Sequence, residues 1–130
     1  MFKKLLLSLH QQKNFTMATN RLKVLFMEEA VKFIEAQPKS ASDKIFENIH
    51  RIESGERNIK LFKKLEGSEI WEFRTLYNGK QYRLFAFWDT QTQTLVIATH
   101  GIVKKTQKTP SKEIAKAERI RQEYFNEKKK

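Results

Sequence analysis

The chain has 130 residues, of which 39% are hydrophobic and 12% aromatic, so it is long enough for one domain with a core, and whole-chain disorder is excluded. Its formal net charge of +11 favours an anionic partner such as nucleic acid, an anionic membrane or an acidic protein, although solvated surface lysines would also produce it. The absence of cysteine excludes disulfides, thiolate nucleophiles and thiolate zinc sites and is compatible with a reducing cytoplasm.

Residues 1–16 are interpreted as an extension ahead of a domain that spans residues 17–130. The apolar residues of MFKKLLLSLH share one helical face, so the extension is either disordered or a short docking helix. It imitates a signal peptide, but its apolar run stops after Leu7 and no clear cleavage site follows. No stretch approaches the roughly 20 apolar residues of a membrane span. We therefore expect a cytoplasmic protein that does not use a membrane.

The first half of the domain predicts a strand followed by two helices. Arg21–Met27 is rich in branched and aromatic residues, which is typical of a strand. Glu28–Gln37 has acidic residues in its first turn, apolar residues at helical spacing and a proline after its end, as expected of a helix. A second helix, capped by Ser40 or Ser42, ends before Gly55.

The second half predicts three strands and a final helix. Glu69–Tyr77 and Gln81–Asp89 flank the Asn78–Gly79 turn, whose residues tolerate positive φ and mark a tight hairpin. Leu95–Val103 is the third strand, and Thr109–Pro110 supplies a helix cap and a proline at the first helical position. The order β-α-α-β-β-β-α predicts an α+β fold with helices packed on a small antiparallel sheet.

Two arginines face each other in this hairpin. Counting outward from a two-residue turn pairs Tyr77 with Lys80 and Arg74 with Arg83, on the side opposite an apolar face. Like charges in this arrangement destabilise a sheet by roughly 0.2–1 kcal/mol, so the pair is more readily tolerated when an anion lies between the guanidinium groups. The alternative is that Glu72, or a carboxylate elsewhere, neutralises both arginines.

Lysines and tyrosines flank the arginine pair. The segment from His100 to Lys112 has four lysines and no carboxylate, and it connects a strand to a helix start, where fixed cations attract phosphate. The two tyrosines of the hairpin are the aromatic residues nearest the pair, and either could stack on a base. The residues predicted to bind RNA are Lys63, Lys64, Tyr77, Tyr82, Lys104 and Lys108.

Such a site suits RNA cleavage, because the 2′-hydroxyl of RNA is its own nucleophile. The protein must orient the phosphate, stabilise the developing charge and transfer protons. Arginines suit the stabilisation of the negative charge that develops on the phosphate oxygens. Lys104 or Lys105, crowded by cations, should have a lowered pKa and exchange protons. His100 is a second candidate proton carrier, although a lone strand histidine is more often structural. No metal-ligand spacing or phosphate-binding glycine loop occurs, so neither metal nor cofactor is predicted.

Three stretches carry a family resemblance. LFKKLEGSEIWEFRTLYNGKQYRLFAFWD, LVIATHGIVKKTQKTP and EIAKAERIRQEYF resemble toxins of the RelE/ParE superfamily, most closely the HigB-like, phage-derived branch. The resemblance spans Arg21 to Phe125 and implies a RelE-like fold. It also implies the toxin of a type II toxin–antitoxin system, which enters the ribosome and cuts mRNA without a metal, leaving a 2′,3′-cyclic phosphate.

The resemblance also assigns roles to individual residues. Arg74 and Arg83 match the strand arginines of the family, and the lysine pairs at 63–64 and 104–105 match its basic residues. Some members carry a tyrosine near the final helix, where this chain has Ser111–Ile114, so His100 or Lys105 is expected to take over proton transfer. The expected catalytic set is Arg74, Arg83, Lys105 and His100.

The resemblance implies partners as well. They are ribosome-bound mRNA and a helix-turn-helix antitoxin, which would form a hetero-oligomer with the toxin and cover its basic face. Two alternatives stay open, since fold does not determine function. One is a non-enzymatic inhibitor of DNA gyrase of the ParE kind. The other is a catalytically inactive RNA-binding regulator.

Overall fold

In the part of the chain that the structure describes, the fold is α+β, with three helices and one mixed sheet. The structure is a computed structural model that describes residues 6–7, 21–104 and 108–129. The sheet has the strand order β1-β2-β6-β5-β4-β3. Its elements are β1 (Leu6–Leu7), β2 (Lys23–Phe26), α1 (Glu28–Glu35), α2 (Lys39–Glu53), β3 (Phe62–Lys64), β4 (Trp71–Tyr77), β5 (Lys80–Trp88), β6 (Leu95–Lys104) and α3 (Ser111–Lys128).

The prediction of an antiparallel sheet is wrong at one strand pair. β2 runs parallel to β6, with Lys23 beside Leu95 and Phe26 beside Ala98, whereas the other neighbouring strands are antiparallel. The antiparallel prediction applied the hairpin signals to the whole sheet, although these signals concern only strands that follow each other in the chain. β2 and β6 are far apart in the chain, and no turn between them specifies their relative direction.

Two short strands were missed by the sequence analysis. β3 pairs with the first residues of β4, Phe62 opposite Phe73, and it is too short for a visible alternation. β1 pairs with β2, Leu6 opposite Phe26. At Leu6 and Leu7 the extension is therefore strand rather than helix, and its remaining residues lie outside the described part of the chain.

The predicted helix caps are also wrong. α2 begins directly after Pro38 and α3 directly after Pro110, and in neither helix does a described side chain cap the start. The Ser42 hydroxyl instead donates to the carbonyl of Ile34 at 2.7 Å, which joins α2 to α1. The Thr109 hydroxyl donates to a carboxylate of the sheet. Both hydroxyl groups therefore serve tertiary contacts.

The two faces of the sheet are covered unequally. α1 and α2 pack on one face, here called the hairpin-helix face, over a row of aromatic rings in which Phe62 stacks on Phe73 with centroids 4.3 Å apart. α3 packs on the other face, here called the α3 face, and covers an apolar cluster around Phe85 and Phe87. Because strand residues alternate between faces, Glu72 and Arg74 share the α3 face.

A glycine sets the close approach of α1 to the sheet. A Cβ atom at Gly101 would lie 2.3 Å from the ring of Phe33, so only glycine allows this helix to pack where it does. The packing holds the strand that carries His100 and Lys104 in place. None of the helices in the described residues is long and apolar enough to span a membrane.

α3 is held at its C-terminal end by a buried carboxylate. Asp89 accepts hydrogen bonds from Tyr124 at 2.7 Å and from Lys128 at 2.6 Å. Burial alone would raise the pKa of Asp89, but the bonds from Lys128, Tyr124 and two backbone amides together lower it. The same burial and the nearby carboxylate raise the pKa of Tyr124. These contacts position the helix whose other end borders the candidate site.

Candidate functional site

The arginine pairing predicted from the hairpin is confirmed. Arg74 lies opposite Arg83, and the turn residues Asn78 and Gly79 have φ values of 51° and 77°. The backbone N–H of Arg74 donates outward to Leu61 of the preceding segment at 2.8 Å. Arg74 and Arg83 therefore form a non-hydrogen-bonded pair, the kind in which facing side chains come closest.

Glu72 lies between the two guanidinium groups. Its Oε2 atom is 3.4 Å from Nε of Arg74 and 3.6 Å from Nε of Arg83, and the carboxylate is almost fully buried. The neutralising carboxylate considered in the sequence analysis is therefore present. These contacts are ion pairs without hydrogen-bond geometry, since neither Nε–H has an acceptor among the described residues. The remaining described bonds are Arg83 Nη2 to Gln81 at 2.6 Å and Arg74 Nη1 to the Ile59 carbonyl at 3.5 Å.

Lys104 completes this group on the α3 face. It pairs with Gln81 across β5 and β6 and is 7% exposed. Burial lowers its pKa, and the charges of Arg83 and Arg74 lower it further against the opposing effect of Glu72. The predicted direction of the pKa shift is thus confirmed, although burial is a larger cause than the neighbouring cations. Glu72, Arg74, Arg83 and Lys104 are called the arginine cluster below; three cations surround one carboxylate, and an excess of positive charge remains.

The members of the arginine cluster differ in access. Arg83 is 1% exposed, and burial is the main reason that its pKa is lowered. The side chain of Arg74 is 21% exposed. An incoming anion would therefore contact Arg74 first, and the buried Arg83 would attract the anion only through its positive charge.

The segment before α3 reaches the arginine cluster through Thr109. Its hydroxyl donates to Oε1 of Glu72 at 2.9 Å, whereas both arginines lie closest to the other carboxylate oxygen, Oε2. Lys108 is exposed next to it in the chain. Lys105, predicted to be catalytic, lies outside the described residues. The Thr109 contact shows that this basic segment borders the cluster.

The two lysines before the hairpin point to opposite faces of the sheet. Lys63 lies across from Glu72 and therefore shares the α3 face with the arginine cluster. Lys64 lies across from Trp71 on the hairpin-helix face, and its Nζ is 3.8 Å from a carboxylate oxygen of Glu69. Both are exposed, but the structure brings only Lys63 towards the cluster.

The two tyrosines do not join the arginine cluster. Tyr82 lies across from Thr75 and is buried on the hairpin-helix face, and Tyr77 packs against the same core. The alternation that places Arg74 opposite Arg83 also requires this, because neighbouring strand residues point to opposite faces. The placement of the tyrosines beside the basic site is therefore wrong.

His100 lies on the α3 face, but it serves to hold α3. Its Nε2 is 3.0 Å from a carboxylate oxygen of Glu113 in the first turn of α3, and its Nδ1 is 2.9 Å from the Thr99 hydroxyl. The ring contacts Phe85 and is fully buried. Burial lowers its pKa, and the bond to Glu113 opposes this only in part. The geometry gives His100 a structural role.

Sequence reasoning missed what Glu72 and Thr109 do together. Glu72 was weighed only as a neutralising charge, and Thr109 only as a helix cap. The signal for Glu72 was its position two residues before Arg74, which puts both on one face of a strand. Nothing local indicates that Thr109 reaches it, 37 residues away. Among the described residues, no group of three or more histidines and acidic residues could hold a metal ion.

One comparison with known proteins identifies a family. The family model described as phage derived protein Gp49-like (DUF891) matches residues 32–122, well over half of the chain. The matched range contains all members of the arginine cluster together with Lys63 and Thr109. No curated protein and no solved structure matches the chain.

Proposed function

The chain belongs to the Gp49-like family of phage-derived proteins, and we propose that it is a toxin which cleaves RNA at the arginine cluster. The family is part of the RelE/toxin-like superfamily and is compatible with the toxin of a toxin–antitoxin system. A toxin of this kind suggests an antitoxin as partner. The HigB-like assignment and dependence on the ribosome are parts of the proposal that come from the resemblance.

The observation that carries the proposal is the unsatisfied arginine pair. Two buried Nε–H donors have no acceptor among the described residues, although buried polar groups are nearly always hydrogen-bonded. A guanidinium presents five donors in a planar fork that fits phosphate oxygens. Glu72 balances only part of the surrounding positive charge. A phosphate diester at Arg74 would supply both the missing charge and an acceptor.

Lys104 is the proposed proton acceptor. Its lowered pKa increases the fraction of neutral amine, which can take the proton of the RNA 2′-hydroxyl. The 2′-oxygen then bonds to phosphorus, the bond from phosphorus to the 5′-oxygen breaks, and the 5′-oxygen takes a proton from solvent. The products are a 2′,3′-cyclic phosphate and a 5′-hydroxyl. Arg74 stabilises the charge on the non-bridging oxygens, with Lys63 at the rim.

Glu72 holds the arginines rather than accepting the proton. Its Oε2 atom lies within 3.6 Å of both guanidinium groups, and its Oε1 atom accepts a hydrogen bond from Thr109, so both carboxylate oxygens are engaged. Through Thr109 it also ties the basic segment before α3 to the sheet. Its role is to keep the two like charges of Arg74 and Arg83 together in the absence of RNA.

Cleavage is tested by replacing Arg74. In cells that express the chain, primer extension on mRNA should show breaks, and purified protein should cut mRNA on translating ribosomes. Arg74→Ala should reduce the cleavage rate by about 10²–10³-fold, as loss of one charge-stabilising donor does elsewhere. Arg119→Ala is the matched control, because it removes an exposed arginine from α3 and should leave cleavage unchanged.

Three outcomes would reject the proposal. Equal cleavage by Arg74→Ala and wild type would show that the arginine cluster is not the site. Salt-sensitive RNA binding without any product, even on ribosomes, would identify an inactive RNA-binding regulator instead. Inhibition of supercoiling by purified gyrase, with no RNA cleavage, would identify a ParE-like inhibitor.

A further inference from the structure

The two carboxylate oxygens of Glu72 have different partners. Oε1 accepts the hydrogen bond from the Thr109 hydroxyl at 2.9 Å. Oε2 lies 3.4 Å from Nε of Arg74 and 3.6 Å from Nε of Arg83, and neither Nε–H finds an acceptor among the described residues. A carboxylate beside a guanidinium frequently uses both oxygens in two parallel hydrogen bonds. Glu72 does not, because one of its oxygens is held by the hydroxyl.

The Thr109 hydroxyl is itself held in place by the start of α3. Thr109 directly precedes Pro110, and a proline restricts the residue before it to extended conformations. The backbone N–H of Glu113 donates to the Pro110 carbonyl at 3.1 Å, and the Glu113 carboxylate is bonded to His100 of β6 at 3.0 Å. The hydroxyl is therefore fixed relative to the sheet and can keep Oε1 of Glu72 from turning.

Arg74 is the group that a released Glu72 carboxylate would capture. Without the hydroxyl, rotation about the last carbon–carbon bond of Glu72 would bring both of its oxygens to one guanidinium. Arg83 already donates from Nη2 to Gln81 at 2.6 Å and is 1% exposed. Arg74 has only a 3.5 Å bond to the Ile59 carbonyl, at the limit of hydrogen-bond distance. A bidentate pair with Glu72 would occupy donors of Arg74 that fit a phosphate.

We propose that Thr109 is a positioning residue of the site: by occupying Oε1 of Glu72, it keeps that carboxylate from closing on Arg74. The proposal rests on the proposed function, since it takes RNA phosphate as the ligand of Arg74. Thr109 acts through Glu72 and need not contact RNA. Glu72 then reduces the repulsion between the two arginines without using up the donors that phosphate requires.

The kinetic experiment compares Thr109→Val with Thr109→Ser in the full chain. Valine removes the hydroxyl at almost the same shape, whereas serine keeps it. In Thr109→Val, RNA has to displace Glu72 before it binds, so the Kd for single-stranded RNA and the KM for cleavage should each rise about tenfold, the size of one charge-assisted hydrogen bond. The kcat should change little, because the loss is the same in the bound and the transition state. Thr109→Ser should bind RNA like the wild type.

The NMR signal of the Arg74 Nε–H group in the RNA-free chain supplies a second readout, which a general loss of stability would not move. In Thr109→Val its proton should shift downfield, and rotation about the Nε–Cζ bond should slow, because Glu72 now holds the guanidinium. The signal is identified by its disappearance in Arg74→Lys. Thr75→Val is the matched control, since it removes a threonine hydroxyl from the other face of β4 and should leave the signal unchanged.

The outcomes separate this proposal from the proposed function. Weaker RNA binding in Thr109→Val, rescue in Thr109→Ser and a shifted Arg74 signal together support the positioning role. An unchanged Arg74 signal overturns it, even if RNA binding falls, because the loss then has another cause.

Unchanged RNA affinity in Thr109→Val, with impaired binding and cleavage in Arg74→Ala, overturns the positioning role alone and leaves the proposed function standing. Binding by Thr109→Ser as weak as that of Thr109→Val also overturns it, since the hydroxyl is then not the decisive group. Normal binding and cleavage by Arg74→Ala would reject the proposed function and, with it, the role of Thr109.

Discussion

The two faces of the β4–β5 hairpin differ in how much charge they bury. On the hairpin-helix face, the buried Thr75 accepts a 3.2 Å hydrogen bond from Asn48 of α2, and the remaining side chains pack as an apolar core. On the α3 face, the neighbouring residues Glu72 and Arg74 form a charged cluster in which two arginine donors stay without an acceptor among the described residues. The same strands therefore carry one face that is mainly an apolar core, although the Oδ1 atom of Asn48 finds no donor there among the described residues, and one face that concentrates charge.

The difference shows where to look for a site in a small α+β domain. Among the described residues, α1 and α2 pack on the hairpin-helix face and α3 packs on the other, where the members of the arginine cluster lie outside the apolar cluster that α3 covers. Folding alone would favour apolar residues there, since a buried ion pair contributes little net stability. Charge retained at such a cost in stability is a reason to propose binding.

The largest expected effect is on stability, from removing the carboxylate of the arginine cluster. Glu72→Gln keeps the side-chain shape but leaves the buried charge of Arg83 uncompensated, so the free energy of unfolding should fall by roughly 3–5 kcal/mol. Thr75→Val, on the other face of the same strand, should cost less, roughly 1–3 kcal/mol for the unpaired Asn48. Urea denaturation of both variants measures this. A Glu72→Gln variant as stable as Thr75→Val would contradict the contrast between the faces.

The next effect tests the close packing of the hairpin-helix face. Gly101→Ala places a methyl group against the ring of Phe33, and we expect a loss of about 1–3 kcal/mol from overpacking. In a Phe33→Ala background the added methyl has room, so its cost should fall by at least half. A double-mutant cycle from thermal or urea unfolding reports this coupling. Additive costs would mean that α1 shifts freely and that the packing is not tight.

A third prediction uses the two adjacent lysines of β3 to compare the faces directly. Lys63→Ala should weaken binding of single-stranded RNA about tenfold and reduce the slope of log affinity against log salt by about 0.7, as expected for one lost phosphate contact. Lys64→Ala removes an equal charge from the opposite face and should change neither quantity. Fluorescence anisotropy over a series of salt concentrations measures both. Equal effects would indicate binding by overall charge instead of by the α3 face.

The smallest expected effect is a pH dependence on the α3 face. Because burial lowers the pKa of His100 in the folded state, the ring is held neutral there, while in the unfolded chain it titrates near 6.5. Its contribution to stability is therefore complete above pH 6.5 and is lost as the pH falls through the lower folded value. Unfolding free energies between pH 8 and pH 5 should decline more steeply for the wild type than for His100→Gln. A steeper decline in the variant would reverse this assignment.

Sequence reasoning reached the arginine pair because the information is local. The Asn78–Gly79 turn specifies a two-residue connection, and counting along alternating strand residues then places Arg74 opposite Arg83. The same counting already put Tyr82 on the other side, and the stacking role given to it ignored that constraint. Helical periodicity likewise located α1, α2 and α3 to within a few residues.

The tertiary structure alone decided the contacts between distant segments. The parallel pairing of β2 with β6, the edge strand β3 and the bond from Thr109 to Glu72 all join residues that no turn or periodicity connects. Their energies depend on burial and approach, which a linear pattern does not encode. The sequence by itself therefore determined the elements, the hairpin register and the excess of positive charge. Only the folded chain decided that one carboxylate lies between the arginines, that Lys63 rather than Lys64 shares their face, and that Arg74 stays partly exposed.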